Sequence, residues 1–218
     1  MATNAPTNEQ QTKQHSVIDI LDFFMYVGQL KTAKRTGWTH HNVHHVESVS
    51  DHMYRMAMMT MLLNNNQLDT TRCMKLALVH DLAECITGDI TPYCGVSEEE
   101  KFRREKEAMV RLTGLVPNAS VAEEMMGLWE EYARRESAEA KAVKDLDRFE
   151  MILQAYEYEK AERRCGDLEK FFSGVQGKFE REDVKEWVAE LHKRRGELRT
   201  NQDRKQEKSS ETEYLDCN

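Results

Sequence analysis

The chain has 218 residues, enough for one well-buried domain without requiring two. It carries 31 Lys and Arg against 39 Asp and Glu, a net charge of −8, and no basic stripe, which argues against a nucleic-acid-binding protein. No apolar run reaches the roughly 20 residues of a membrane-spanning helix. Five cysteines without a CxxC pair suit reduced thiols rather than a disulfide framework. The first fifteen residues resemble neither a secretory signal nor a mitochondrial presequence, so the expected setting is the cytoplasm, with the nucleus also open.

Charged residues make up 32% of the chain, prolines number three, and apolar residues recur at three- and four-residue intervals, which predicts an all-α fold. Residues 1–15 and 199–218 lack a helical apolar stripe and read as disordered tails, leaving one domain over 16–198. Ser16 or Asp19 is expected to cap a first helix whose inner face uses Ile20, Phe23, Phe24, Val27 and Leu30. Residues 35–48 read as a loop. Ser50 is expected to cap a helix to Leu63 with Met53, Met56 and Met59 inward, and the asparagines at 64–66 break it. Asp69 starts the next helix; 85–96, with Gly88, Pro92 and Gly95, reads as a loop. Ser97 opens a charged helix to Thr113. Pro117 precedes a helix holding Leu128, Trp129 and Tyr132, and Ser137 opens another across 138–158. Shorter helices are expected over 167–173 and 181–197.

The stretch "LVHDLAECITGD" (78–89) sets His80, Asp81, Glu84 and Asp89 at the end of an apolar helix. Ionisable groups in apolar surroundings are costly unless paired or bound to a metal. If the helix is continuous, His80 and Glu84 lie one turn apart on one face. Imidazole nitrogen with carboxylate oxygen suits a first-row divalent ion. In isolation, His80 reads as a hydrogen-bonded core histidine rather than as a ligand. Two further stretches favour the metal: "VESVSDHMYRM" places His52 on a methionine-rich helix, and "AVKDLDRFEMIL" places Asp145 and Asp147 beside an apolar face.

With those three parts in view, the sequence resembles the HD-domain metal-dependent phosphohydrolases, and within them the small 5'-deoxynucleotidases. The likeness rests on "RTGW", "ESVSDHMYRMA", "LALVHDLAECITGDI", "EEKFRREKEAM", "LWEEY", "SAEAKAVKDLD" and "EMILQA", spread over most of 16–190. It implies a single HD-domain helical bundle. Its metal ligands fall on His52, His80, Asp81 and Asp147; the surroundings of Asp145 leave that residue a competitor, and the family pattern favours Asp147. Glu84 matches the carboxylate beside the attacking water, Asp89 an acid near the phosphate and leaving oxygen, and Trp38 an aromatic that packs on the deoxyribose. In some members an Arg directly precedes that Trp; here Gly37 does, and Arg35 is the nearest substitute.

The resemblance further implies hydrolysis of deoxyribonucleoside 5'-monophosphates, one divalent ion (Mn, Co, Fe, Mg or Zn) and a homodimer. After Asp81 the only histidine is His192, so the extra histidines of two-metal HD enzymes are missing. The competing readings are an HD phosphohydrolase for a triphosphate or an alarmone, and a binding module without turnover. The cluster "HHNVHH" (40–45) reads as a solvated loop or as imidazoles facing an anionic substrate, rather than as a second metal site.

Overall fold

Asp69, Ser97, Asn118 and Ser137 each accept a hydrogen bond from a backbone N–H in the first turn of the helix that follows. Such caps contribute about 0.5–2 kcal/mol apiece, and they mark helix starts that the sequence already displays. The computed structural model describes the backbone of residues 8–64 and 68–215. In chain order it contains α1 (Asn8–Gln29), α2 (Thr36–His40), α3 (Val49–Thr60), α4 (Thr70–Val79), α5 (Glu84–Thr87), a 3-10 turn (Pro92–Cys94), α6 (Glu98–Thr113), α7 (Ala119–Arg134), α8 (Ala138–Ala161), α9 (Glu169–Val175) and α10 (Glu182–Leu215). Among the described residues the only β pairing is a single bridge between Lys34 and Ser48. None of these helices is long and apolar enough to cross a membrane.

Several local expectations are corrected. The cap of α3 is Ser48, not Ser50, because Asp51 three residues on completes a reciprocal capping box. The helix ends at Thr60 rather than Leu63; of the asparagines expected to break it, residues 65 and 66 lie outside the described residues. Neither Ser16 nor Asp19 starts α1, which begins at Asn8, and α10 continues to Leu215. With no Pro or Gly in 8–27 or 197–215, helix propagates through polar residues that lack an apolar stripe. Residues 1–7 and 216–218 of the expected tails lie outside the described residues. Short helices also interrupt both expected loops, at α2 and α5.

The core is built where α3, α4 and α8 pack on one another. Met56, Leu76, Leu146 and Ile152 are completely buried there. α1 packs through a narrower face than its sequence suggests. Leu30 is buried and Phe23 and Val27 lie against the core, but Ile20 and Phe24 point outward. The central trio carries the expected ligands: α3 holds His52, the end of α4 holds His80 and Asp81, and α8 holds Asp147.

Candidate metal centre

α4 stops at Val79, and His80 still donates its N–H to the Leu76 carbonyl at 2.9 Å. Beyond it the bonding tightens: Leu82 N–H reaches Val79 O, Glu84 N–H reaches Asp81 O, and Cys85 N–H reaches Leu82 O. These are three-residue spacings of 3-10 character. His80 and Glu84 therefore do not share one α-helix as expected; Glu84 opens α5 after the tightened turn. His80, Asp81 and Glu84 nevertheless line the same cleft of about 550 Å³, together with Arg35, Asp89 and Asp147. Gly88, at φ 71°, ends α5 in a conformation costly for any side-chain-bearing residue and turns the chain to Asp89.

Three of the expected ligands, His52, His80 and Asp81, place a ligand atom each within 4.8 Å of one another, and Asp147 adjoins them through His52. His80 Nε2 lies 3.1 Å from Asp81 Oδ2, and His52 Nε2 lies 3.7 Å from the same oxygen and 3.4 Å from Asp147 Oδ1. Ligand atoms about 2.1 Å from an ion stand about 3.0 Å apart at right angles and about 3.4 Å apart in a tetrahedron, so these separations suit a shared cation. Both Nε2 atoms are buried without a hydrogen-bond partner, as is Glu84 Oε2. The opposite nitrogens are committed. His80 Nδ1 lies 2.9 Å from the Ala77 carbonyl and His52 Nδ1 lies 2.5 Å from Glu150 Oε2. Carbonyl and carboxylate oxygens only accept, so both Nδ1 atoms donate, and with a cation bound the rings would turn their Nε2 lone pairs toward the site that the carboxylates share. Orphaned lone pairs facing anionic oxygens fit a bound divalent cation.

The electrostatics agree. Burial raises Asp81, but His80, Arg35 and His52 outweigh it and hold the group below the carboxylate range. Burial likewise raises Asp147, and Lys144 and His52 more than reverse it. Burial, followed by the charges of Asp81 and Asp89, pushes Glu84 well above the ordinary glutamate value. Burial and Arg35 resist protonation of His52, yet Glu150 and Asp147 prevail and raise it to about 9.

Asp145 and Asp147 now separate. Asp145 is fully buried and accepts N–H bonds from Glu180 and Arg181 at 2.7 and 2.8 Å, tying the start of α10 to α8. Asp147 points its Oδ1 at His52, while its Oδ2 receives Tyr132 Oη at 2.6 Å and Lys144 Nζ at 2.7 Å. Asp89 accepts the Thr36 N–H at 2.7 Å and so pins the start of α2 beside the cleft. Arg35 reaches Asp81 Oδ2 at 3.3 Å. A side chain at position 37 would instead meet Phe171, 3.3 Å from the Cβ site of Gly37.

Trp38 departs from expectation. It is 2% exposed, donates to Glu47 at 2.8 Å, and packs on Phe171 and Tyr158 without lining the cleft. A direct sugar contact is not what this arrangement offers, because the indole is enclosed by its own aromatic neighbours. The loop histidines also stay outside the cleft lining: His40 stacks on Tyr93, and His41 packs edge-on against Tyr93 and Phe171.

The sequence reading missed Lys101, Lys144 and Arg135, which bring cations to the cleft, and Tyr132, whose hydroxyl meets Asp147. Lys101 was hidden in "EEEKFRREKE". Arg103 and Arg104 do form the expected exposed pairs with Glu100, but Lys101 lines the cleft and donates to the Ile90 carbonyl at 2.8 Å. Its helical phase, two positions from the exposed Arg103, was the available signal.

An all-α bundle whose central helices converge two histidines and two aspartates is the architecture of an HD domain. The HD domain family matches residues 27–187, and the chain belongs to that family. It is 50% identical over 181 residues to the human 5'-deoxynucleotidase HDDC2, covering 83% of this chain and 88% of the relative. It is 49% identical over 157 residues to the Schizosaccharomyces pombe 5'-deoxynucleotidase hdd1, covering 71% and 79% of the two chains. Among solved structures, HD domain-containing protein YGK1 superposes with a TM-score of 0.62 at 31% identity, over 80% of this chain and 85% of that one. A conserved hypothetical protein from Pyrococcus furiosus gives a TM-score of 0.63 at 30% identity, over 79% and 99%.

Proposed function

We infer that this chain is a 5'-deoxynucleotidase, a phosphomonoesterase that hydrolyses deoxyribonucleoside 5'-monophosphates to deoxynucleoside and phosphate. The observation that carries the reading is the pair of buried, unpartnered Nε2 atoms of His52 and His80 facing Asp81 and Asp147 in an open cleft. Half of the aligned residues are identical to a relative bearing that activity, which supports it.

His52, His80, Asp81 and Asp147 would hold one divalent ion, from the group Mn, Co, Fe, Mg and Zn. Such an ion supplies Lewis acidity toward a phosphoryl oxygen and makes a nearby water more acidic. Glu84, in the same cleft, orients the attacking water and takes its proton. The water oxygen bonds to phosphorus as the P–O5' bond breaks, and Asp89 assists protonation of the departing 5'-oxygen. Arg35 and Lys101 offset the phosphate charge, a role that preorganised cations perform at low reorganisation cost. Ile90, Pro92 and Phe102 give the cleft an apolar wall suited to a nucleoside. Trp38 serves the substrate through α2, by holding the helix whose start Asp89 anchors.

The same reading includes a homodimer in the cytoplasm. Val17, Leu21, Phe24 and Met25 present an exposed apolar stripe on α1, between 58% and 62% accessible, which supports self-association. The unpaired thiols of Cys73 and Cys85 support a reducing compartment.

The test is phosphate release from a panel of deoxy- and ribonucleoside monophosphates with Mn, Co, Mg or Zn, beside His80→Ala and Asp147→Ala. Metal-dependent release from deoxymonophosphates, lost in both variants, is expected. No release from any deoxymonophosphate overturns the reading, and release of pyrophosphate or triphosphate from other nucleotides replaces it. Equal rates on ribo- and deoxy-substrates remove only the preference for the deoxy sugar.

A further inference from the structure

We propose that Glu150 and Arg55 form a clamp that sets the ring orientation and tautomer of His52, making Glu150 a positioning residue of the metal centre. The inference rests on the metal reading of that centre. Glu150 is completely buried on α8, one turn beyond Asp147, so a single helix face delivers both the ligand and the clamp. Its Oε2 accepts the His52 Nδ1–H at 2.5 Å. Its Oε1 accepts Arg55 Nε at 2.9 Å and Nη2 at 2.5 Å. Arg55 lies one turn after His52 on α3 and also reaches Gln154 at 2.6 Å and Glu157 at 2.7 Å, further along α8. α3 and α8 are thus joined by a ladder of hydrogen bonds whose first rung is the ligand's own imidazole.

The two histidines of the centre are held by different means. His80 donates its Nδ1–H to the neutral carbonyl of Ala77, whereas His52 donates to a carboxylate. A carboxylate partner increases the donor strength of the imidazole lone pair and fixes which nitrogen meets the metal. Glu150 would need no such assignment if it were merely a buried ion-pair partner, and the same helix provides that comparison. Glu159, also completely buried, is gripped by Arg195 at 2.7 and 2.8 Å and by the N–H groups of Gly166 and Leu168. It has no contact with His52.

The experiment compares wild type, Glu150→Gln, Arg55→Met and Glu159→Gln. Mn affinity is measured by competition with a fluorescent chelator, and the His52 Nδ1–H proton is followed by NMR in the metal-free protein. Melting curves report folding. Glu150→Gln is expected to lose about 10–100-fold in Mn affinity together with the downfield Nδ1–H resonance, and Arg55→Met to lose a smaller factor in the same direction. Glu159→Gln is expected to melt earlier while keeping both. Wild-type affinity in folded Glu150→Gln overturns the proposal, as does an equal loss in Glu159→Gln. Should Glu150→Gln not fold, unchanged affinity in Arg55→Met overturns it instead. A wild-type protein that binds no Mn, Co or Zn overturns the metal reading itself, and the clamp with it.

Discussion

Asp145 and Asp147 stand two residues apart on α8, and their replacement by alanine should have opposite consequences. Asp145 accepts the N–H groups of Glu180 and Arg181 at 2.7 and 2.8 Å from a fully buried position. Hydrogen bonds to a charged acceptor are each worth about 1.5–3 kcal/mol, which gives about 3–6 kcal/mol for the pair. Glu180 is exposed and Arg181 half-buried, so water recovers part of that and about 2–4 kcal/mol remains. For a chain of this size each kcal/mol moves Tm by roughly 2–4 °C, so Asp145→Ala should melt about 5–15 °C earlier. Its Mn affinity should stay close to wild type. Asp147→Ala should lose more than the about 10–100-fold in affinity that outer partners of a metal ligand are worth, with a smaller change in Tm. Melting curves and chelator competition on both variants decide the matter. Loss of metal binding in Asp145→Ala with retention in Asp147→Ala would refute the assignment of the fourth ligand.

Glu84→Gln should lower kcat by about 10²–10⁴ while Mn affinity stays within a few-fold; a collapse of affinity would instead place Glu84 among the ligands. Chelation should lower Tm, and restoring metal at 100 times its Kd should return about 2.7 kcal/mol of stability; an unchanged melt on adding and removing metal contradicts a site linked to folding. Phe102→Ala should raise KM for deoxyadenosine monophosphate by about fivefold or more, since stacking a base on an aromatic ring is worth ~1–3 kcal/mol. An unchanged KM would take the base off that wall. On the surface, Leu21→Asp with Phe24→Asp should convert a dimer to a monomer in light scattering, and an unaffected mass would move the interface elsewhere.

Local chemistry is the part of this protein that the chain displays openly. Ser97, Ser137 and Asp69 announce helix starts because a cap acts within three residues of itself. The candidate metal ligands were legible for a different reason: a His-Asp pair, a lone histidine and an aspartate set in or beside apolar helices are each expensive alone. Their resemblance to a family pattern supplied the grouping. Helix limits were less legible. Ser48 and Ser50 offer the same hydroxyl, and only the reciprocal bond with Asp51 chooses between them. Phe24 has the spacing of an inward residue, yet how much of α1 finds a neighbour depends on the helices that pack against it.

By itself the sequence determined the helical class, the cap positions of several helices and the candidacy of His52, His80 and Asp81 as residues that converge. Tertiary structure alone decided which of Asp145 and Asp147 faces His52, that Trp38 is enclosed rather than presented, and that Lys101, Tyr132 and Lys144 join the cleft. Periodicity tells which side of a helix is apolar. It does not tell the rotation of one helix against another, and that rotation aims Asp147 at an imidazole and Asp145 at the backbone before α10.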